Sequence, residues 1–109
     1  PTLVGDYLFI VSENGYLFVI EKQTGNIIRI NDIFGEFNNK LRKKIYPTGF
    51  IVGMNSIYLT TSHGRLLVVD TKSGKNQSIL KIDKNKISRP SILNQDMFIV
   101  TDNSIIRLN

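Results

Sequence analysis

The sequence contains no cysteine, no tryptophan and no alanine. Without cysteine there are no disulfides, no thiolate metal sites and no cysteine nucleophile, and the redox compartment stays open. Without alanine the chain lacks the best helix former. Its apolar residues are mostly Ile, Val, Leu, Phe and Tyr, which favour strands. No apolar run approaches the roughly 18 residues of a membrane-spanning helix. No basic region precedes an apolar stretch, so no signal peptide is expected within these residues, and a start on Pro1 reads as a piece of a longer chain.

What is present suits a small folded domain. The chain has 109 residues, 41% of them hydrophobic and 21% charged, which excludes a disordered segment. A formal net charge of +5 is a mild excess that favours an anionic partner or simply aids solubility.

The strongest signal is an internal repeat. The segment Tyr7–Ile20 is an apolar run, a polar turn with Gly15, and a second apolar run; Thr24-Gly25 and the stretch Asn26–Ile30 follow. Ser56–Val69, Ser73-Gly74 and Ser78–Ile82 repeat the pattern without a gap. Gly15 to Gly64 and Gly25 to Gly74 are both 49 residues apart, since 64 − 15 = 74 − 25 = 49. A shorter third copy runs from Met97 to Asn109, with Asn103 expected to take the left-handed conformation in place of the turn glycine. Each copy opens with a proline: Pro1, Pro47 and Pro90.

Within a copy, Asn14-Gly15 predicts a tight hairpin with positive φ at both residues, and Thr24-Gly25 a looser one. The runs at 7–11 and 16–20 do not alternate, so such strands need cover on both faces. Sheets stacked face to face meet that requirement. A Rossmann-like fold fails because Ile20 and Ile27 are too close for a parallel crossover, and a closed barrel fails because its strands should alternate. The expectation is therefore an all-β chain of four-stranded antiparallel β-propeller blades, about two and a half of them. The boundaries are a blade at 1–30, an insertion at 31–46, a blade at 47–82, a linker at 83–88 and a partial blade at 89–109. The insertion is expected to be a loop with at most a turn or two of helix: Phe37, Leu41 and Ile45 fall four apart, Asp32 is a possible cap and Pro47 a stop. The third copy is expected to lack an outermost strand and to expose an edge.

The two stretches Asn14–Gly25 and His63–Gly74, each a turn glycine, an apolar strand, an acidic residue and a Thr/Ser-x-Gly-like turn, resemble the PQQ-like propeller repeat. The resemblance covers nearly the whole chain outside 31–46 and 83–88. It implies one of two kinds of protein. One is the quinoprotein dehydrogenases, whose propellers hold pyrroloquinoline quinone and Ca²⁺. The other is the non-catalytic propeller lipoproteins of outer-membrane β-barrel assembly, the BamB type. The quinoproteins lock their blades with tryptophan contacts, and many place a vicinal disulfide against the quinone; with neither Trp nor Cys here, the scaffold is favoured.

Candidate chemistry is sparse. His63 is the only histidine and occupies the turn position held by Asn14 in the first copy, which predicts a solvent-exposed residue. The nine acidic residues, scattered through turns, form no Ca²⁺ loop, and the glycines form no phosphate-binding loop. No catalytic, cofactor or metal residue is assigned. The densest charge is Lys40, Arg42, Lys43 and Lys44 in the insertion, read either as a solvated linker or as a contact with an acidic protein surface, anionic lipid or nucleic acid, of which an acidic protein fits best. Nucleic acid is disfavoured, since no aromatic interleaving or known module accompanies the run. The expectation is a non-catalytic scaffold that binds a protein partner and the remaining blades of its own propeller, or self-associates. The resemblance alone implies a bacterial periplasmic location at the outer membrane.

Overall fold

The computed structural model describes residues 1–108; Asn109, the end of the expected partial blade, lies outside the described residues. Eleven strands and one short helix form three antiparallel sheets. The first contains β1 (Thr2–Val4), β2 (Tyr7–Val11), β3 (Tyr16–Glu21) and β4 (Ile27–Asp32). Helix α1 (Asn39–Arg42) lies in the insertion. The second sheet contains β5 (Pro47–Val52), β6 (Ser56–Thr61), β7 (Arg65–Asp70) and β8 (Asn76–Lys81). The third contains β9 (Ser91–Leu93), β10 (Asp96–Val100) and β11 (Ile105–Leu108). Strands pair in chain order in every sheet, as in propeller blades. Below, the sheets are blades 1, 2 and 3.

The repeat extends to the hydrogen bonds. Gly25 N–H donates to Glu21 O and Gly74 N–H to Asp70 O, while Ile33 N–H donates to Gly15 O and Ile82 N–H to Gly64 O. Both pairs keep the 49-residue offset. So do the bulges of β3 and β7, at Val19/Ile20 and Val68/Val69, whereas the irregularity at Pro47/Gly49 of β5 has no counterpart in β1.

The first hairpin differs from expectation. Gly15 has φ +89°, but Asn14 is not left-handed. Gly15 N–H donates to Ser12 O at 3.1 Å and Ser12 N–H to Tyr16 O at 2.9 Å, so the turn spans 12–15 with the glycine as a bulge after a tight turn. The Ser12 hydroxyl accepts from Tyr16 N–H, and Thr61 does the same for Arg65. Thr101 accepts from Ser104 N–H in blade 3, where the turn closes without positive φ at Asn103. The left-handed residues of that blade are Asn94 and Gln95, in the β9–β10 turn.

Burial explains the unbroken apolar strands, though not for every blade. In blade 2, Ile57, Leu59, Leu67 and Val69 face blade 1, where they join Phe9, Leu17 and Val19. The opposite face of blade 2 packs Leu66 and Tyr58 with Met97 and Ile99 of blade 3. Blade 2 is thus covered on both sides. Blade 1 is covered on one side only. Its register places Leu3, Leu8, Ile20 and Ile27 in one row and Ile10, Phe18 and Ile30 in the next, all on the face turned away from blade 2. Leu3, Ile27 and Ile30 are more than half exposed there. The outer face of blade 3 presents Leu93, Phe98, Val100 and Ile105.

The blade 3 face also carries Asp96 and Arg107, paired at 3.6 Å, and exposed apolar surface of this extent is an association site. We expect the isolated chain to self-associate through these faces, with the unpaired edge of β11 adding to the tendency. Size-exclusion chromatography with light scattering should show concentration-dependent oligomers that Phe18→Lys with Ile30→Lys shifts toward monomer. A stable monomer of the unmodified chain at high concentration would contradict this.

Candidate functional site

The insertion folds onto the groove between blades 1 and 2. Ile33, Phe34 and Ile45 are buried in the core shared by the two sheets, with Phe37 and Leu41 packed against it. Phe34 is fully buried and occupies the space above Gly15, where a Cβ would lie 2.2 Å from its ring. The glycine therefore serves two purposes: it supplies the turn and admits the plug. Gly64 has the same role in blade 2, where a Cβ would lie 1.9 Å from the carbonyl oxygen of Asp83.

The helical turn is capped by Asn38, whose side chain accepts from Leu41 N–H at 2.8 Å. Asp32, the expected cap, ends β4 instead and accepts both guanidinium arms of Arg42 at 2.7 and 2.8 Å. Arg42 also donates to Asn14 O at 3.3 Å and lies 5.6 Å from the centre of the Tyr16 ring. Hydrogen bonding to Asp32 raises the pKa of Arg42 above its ordinary value, so the guanidinium stays charged.

Of the four cations singled out in the sequence, Arg42 is thus engaged within the molecule and fastens the insertion to blade 1. Lys40, Lys43 and Lys44 are exposed. Sequence reasoning missed two neighbours. Tyr46 is tied to the β6–β7 turn, with its N–H donating to the Ser62 hydroxyl at 3.0 Å and its carbonyl accepting from Ser62 N–H at 2.9 Å. Lys86, from the linker between blades 2 and 3, places its ammonium 5.5 Å from the centre of the Tyr46 ring. No sequence signal joins residues 46 and 86; only the stacking of blades does.

His63 is not the solvent-exposed turn residue expected from its position opposite Asn14. It is half-buried, because the insertion sets the Phe37 ring edge-on against it at 5.1 Å between centroids. Its Nδ1 lies 2.7 Å from the Thr61 hydroxyl, and its Nε2 is buried without a partner. Burial first, and the nearby Arg65 second, lower its pKa below the ordinary 6.5.

The opposite edge of the blade 1–blade 2 junction is held by polar contacts. Arg29 donates to the carbonyls of Thr71 (2.6 Å) and Lys72, and Asn31 donates to Ser73 O at 3.1 Å. The 49-residue offset puts Ser78 and Leu80 at the equivalent positions of blade 2, so this latch is not repeated toward blade 3. Instead a depression of about 310 Å³ opens there, lined mainly by Tyr58, Leu66, Val68, Leu80, Met97 and Leu108. Among the described residues no group of three or more His, Asp or Glu side chains lies close enough to hold a metal ion. Among the described residues no helix is long and apolar enough to cross a membrane.

No family model matches the chain, and no curated protein matches it in sequence. Solved structures do match its fold. BamB from Moraxella catarrhalis is similar over 96% of the chain, with TM-score 0.67 and 12% identity. The WD40 β-propeller domain of Doa1 is similar over 94%, with TM-score 0.69 and 13% identity. The Cps50 (Swd1) β-propeller domain of Myceliophteria thermophila is similar over 90%, with TM-score 0.53 and 12% identity. The chain spans 30% of the first and 32% of the second, about a third of each. At these identities the likeness shows a β-propeller fold.

The lowered pKa of His63 has a consequence for stability. The folded state holds the neutral ring, while the unfolded chain binds a proton near the ordinary 6.5. Stability is therefore fully present above that value and falls as pH drops through it. We expect thermal melts to shift down between about pH 7.5 and 5.5, and His63→Asn, the residue at the equivalent turn of blade 1, to flatten that dependence. An unchanged slope in the variant would show that His63 is not the titrating group.

Proposed function

We propose that this chain is part of a non-catalytic β-propeller scaffold that binds protein partners, in the setting of bacterial outer-membrane protein assembly at the periplasmic face. The observation that carries the reading is the insertion. A connection that only bridges two blades needs a buried plug, but not a bidentate ion pair and a capped helical turn as well. Here those three features hold an exposed cationic loop in one position above the blade 1–blade 2 groove. A fixed loop on a rigid sheet stack suits recognition, because little conformational freedom is lost on binding. The likeness in fold to BamB supports the envelope setting, as does the PQQ-like repeat pattern.

Charge reversal tests the scaffold reading. Lys40→Glu, Lys43→Glu and Lys44→Glu together, leaving Arg42 in place, should reduce co-purification of the outer-membrane assembly machinery from membrane fractions. The β circular-dichroism signal should be preserved. Unchanged recovery of those components would remove the insertion from the interface.

The absence of an enzyme activity is a separate expectation. His63 packs against Phe37, and the acids are dispersed over strands, turns and the insertion. The purified chain should neither bind pyrroloquinoline quinone in the presence of Ca²⁺ nor oxidise alcohols or sugars. Saturable, Ca²⁺-dependent quinone binding by fluorescence titration would assign it to the quinoproteins instead.

A further inference from the structure

Both connections between blades run from the outer strand of one sheet to the inner strand of the next, β4 to β5 and β8 to β9. They therefore emerge at one end of the stack, beside the β2–β3 and β6–β7 turns. The register confirms the placement: Asp32 at the end of β4 sits opposite Tyr16, and Lys81 at the end of β8 opposite Arg65. This end gathers exposed lysines from two separate segments, Lys40, Lys43 and Lys44 from one and Lys84 and Lys86 from the other.

The two segments meet at Tyr46. Beside it lies a depression of about 310 Å³ walled by Glu13, Asn14, Arg42, Lys43, Lys44 and Tyr46. A second depression of about 390 Å³ shares Asn14, Arg42 and Lys43 with the first and continues to Tyr16 and Asn39. Together they make one shallow trough. Arg42 is paired with Asp32, so the free positive charge lies in the wall at Lys43 and Lys44, and at Lys86, which lines neither depression but stands over the ring of Tyr46 in that wall. Lys40 lines neither depression.

We propose that this trough binds an extended acidic segment of a partner protein. Its carboxylates would pair with Lys43, Lys44 and Lys86, and its backbone would run past the Asn14 and Asn39 amides between the two tyrosine rings. The proposal rests on the scaffold reading and specifies the chemistry of the partner. Three features favour a peptide over a membrane or a nucleic-acid duplex. Glu13 stands in the wall of the trough, and Glu36 is exposed in the same insertion, so a continuous anionic surface would meet like charge at these points. A peptide can place its carboxylates opposite the lysines alone. Depressions of this size admit single side chains. The side-chain amide of Asn39 offers both donor and acceptor, and that of Asn14, whose Oδ1 accepts from the Ser12 hydroxyl, offers its N–H groups, which suits the backbone of an extended chain.

The test is fluorescence anisotropy with a labelled eight-residue peptide alternating Glu and Ser, its Lys-Ser counterpart serving as control. The acidic peptide should bind and the basic one should not. Affinity should fall when salt rises from about 50 to about 300 mM. Lys86→Glu alone should weaken binding about tenfold, although Lys86 lies outside the insertion, while Lys72→Glu at the other end of the stack should leave it unchanged. Circular dichroism verifies that each variant is folded. Failure of the acidic peptide to bind, equal binding by Lys86→Glu, or preferential binding to anionic vesicles or duplex DNA would each overturn the proposal. If co-purified assembly components are retained by Lys86→Glu, the scaffold reading stands and this trough is excluded as its site.

Discussion

Strands that are apolar on both faces must lie between two other layers, and that constraint governs this molecule. It is met fully in blade 2. There β6 and β7 send Ile57, Leu59, Leu67 and Val69 to one side and Tyr58 and Leu66 to the other. A hydrophobic face left in water forgoes roughly 25 cal/mol for each Å² that it could bury, so sheets of this composition are driven to stack. Each added sheet covers one face and presents another. Such an architecture propagates until it closes on itself or meets a partner, which is why the outer face of blade 1 retains a continuous surface from Leu3 to Ile30.

Stacking also creates the candidate site. Where two blades splay apart, the groove between them must be plugged, and the two junctions do so differently. Between blades 1 and 2 the insertion supplies Ile33, Phe34 and Ile45, and Gly15 makes room for the largest of these. Between blades 2 and 3 the shorter connection supplies Ile87, with Ile82 partly buried beside it. The longer plug has chain to spare beyond its buried residues. That surplus is the capped turn carrying Lys40, Lys43 and Lys44, held against blade 1 by Arg42 and Asp32. The function proposed for the insertion thus follows from a packing requirement: its buried residues fix the positions of its exposed ones.

The blades were legible because hairpin chemistry and apolar runs are local signals. The 49-residue spacing of Gly15 to Gly64 and Gly25 to Gly74 carried the repeat, and the turn hydrogen bonds and the bulges of β3 and β7 follow the same offset. Turn detail was less legible. An Asn-Gly pair suits a two-residue turn, yet the Ser12 hydroxyl selects a longer one by binding Tyr16 N–H, and Thr61 and Thr101 act similarly. The site was only partly legible. A cluster of cations shows in sequence, but nothing local reveals that Arg42 pairs with Asp32, that Phe37 covers His63, or that Lys86 reaches Tyr46 from forty residues away. Those are contacts between segments joined only by tertiary packing.

If two-sided cover is what stabilises the chain, protection should be graded across the blades rather than uniform. Native-state hydrogen exchange measures this directly. Backbone amides of β6 and β7 should exchange only through global unfolding, those of β2 and β3 sooner, and those of β11, at an open edge, soonest. Equal protection across the three sheets, or slowest exchange in β2 and β3, would contradict the account.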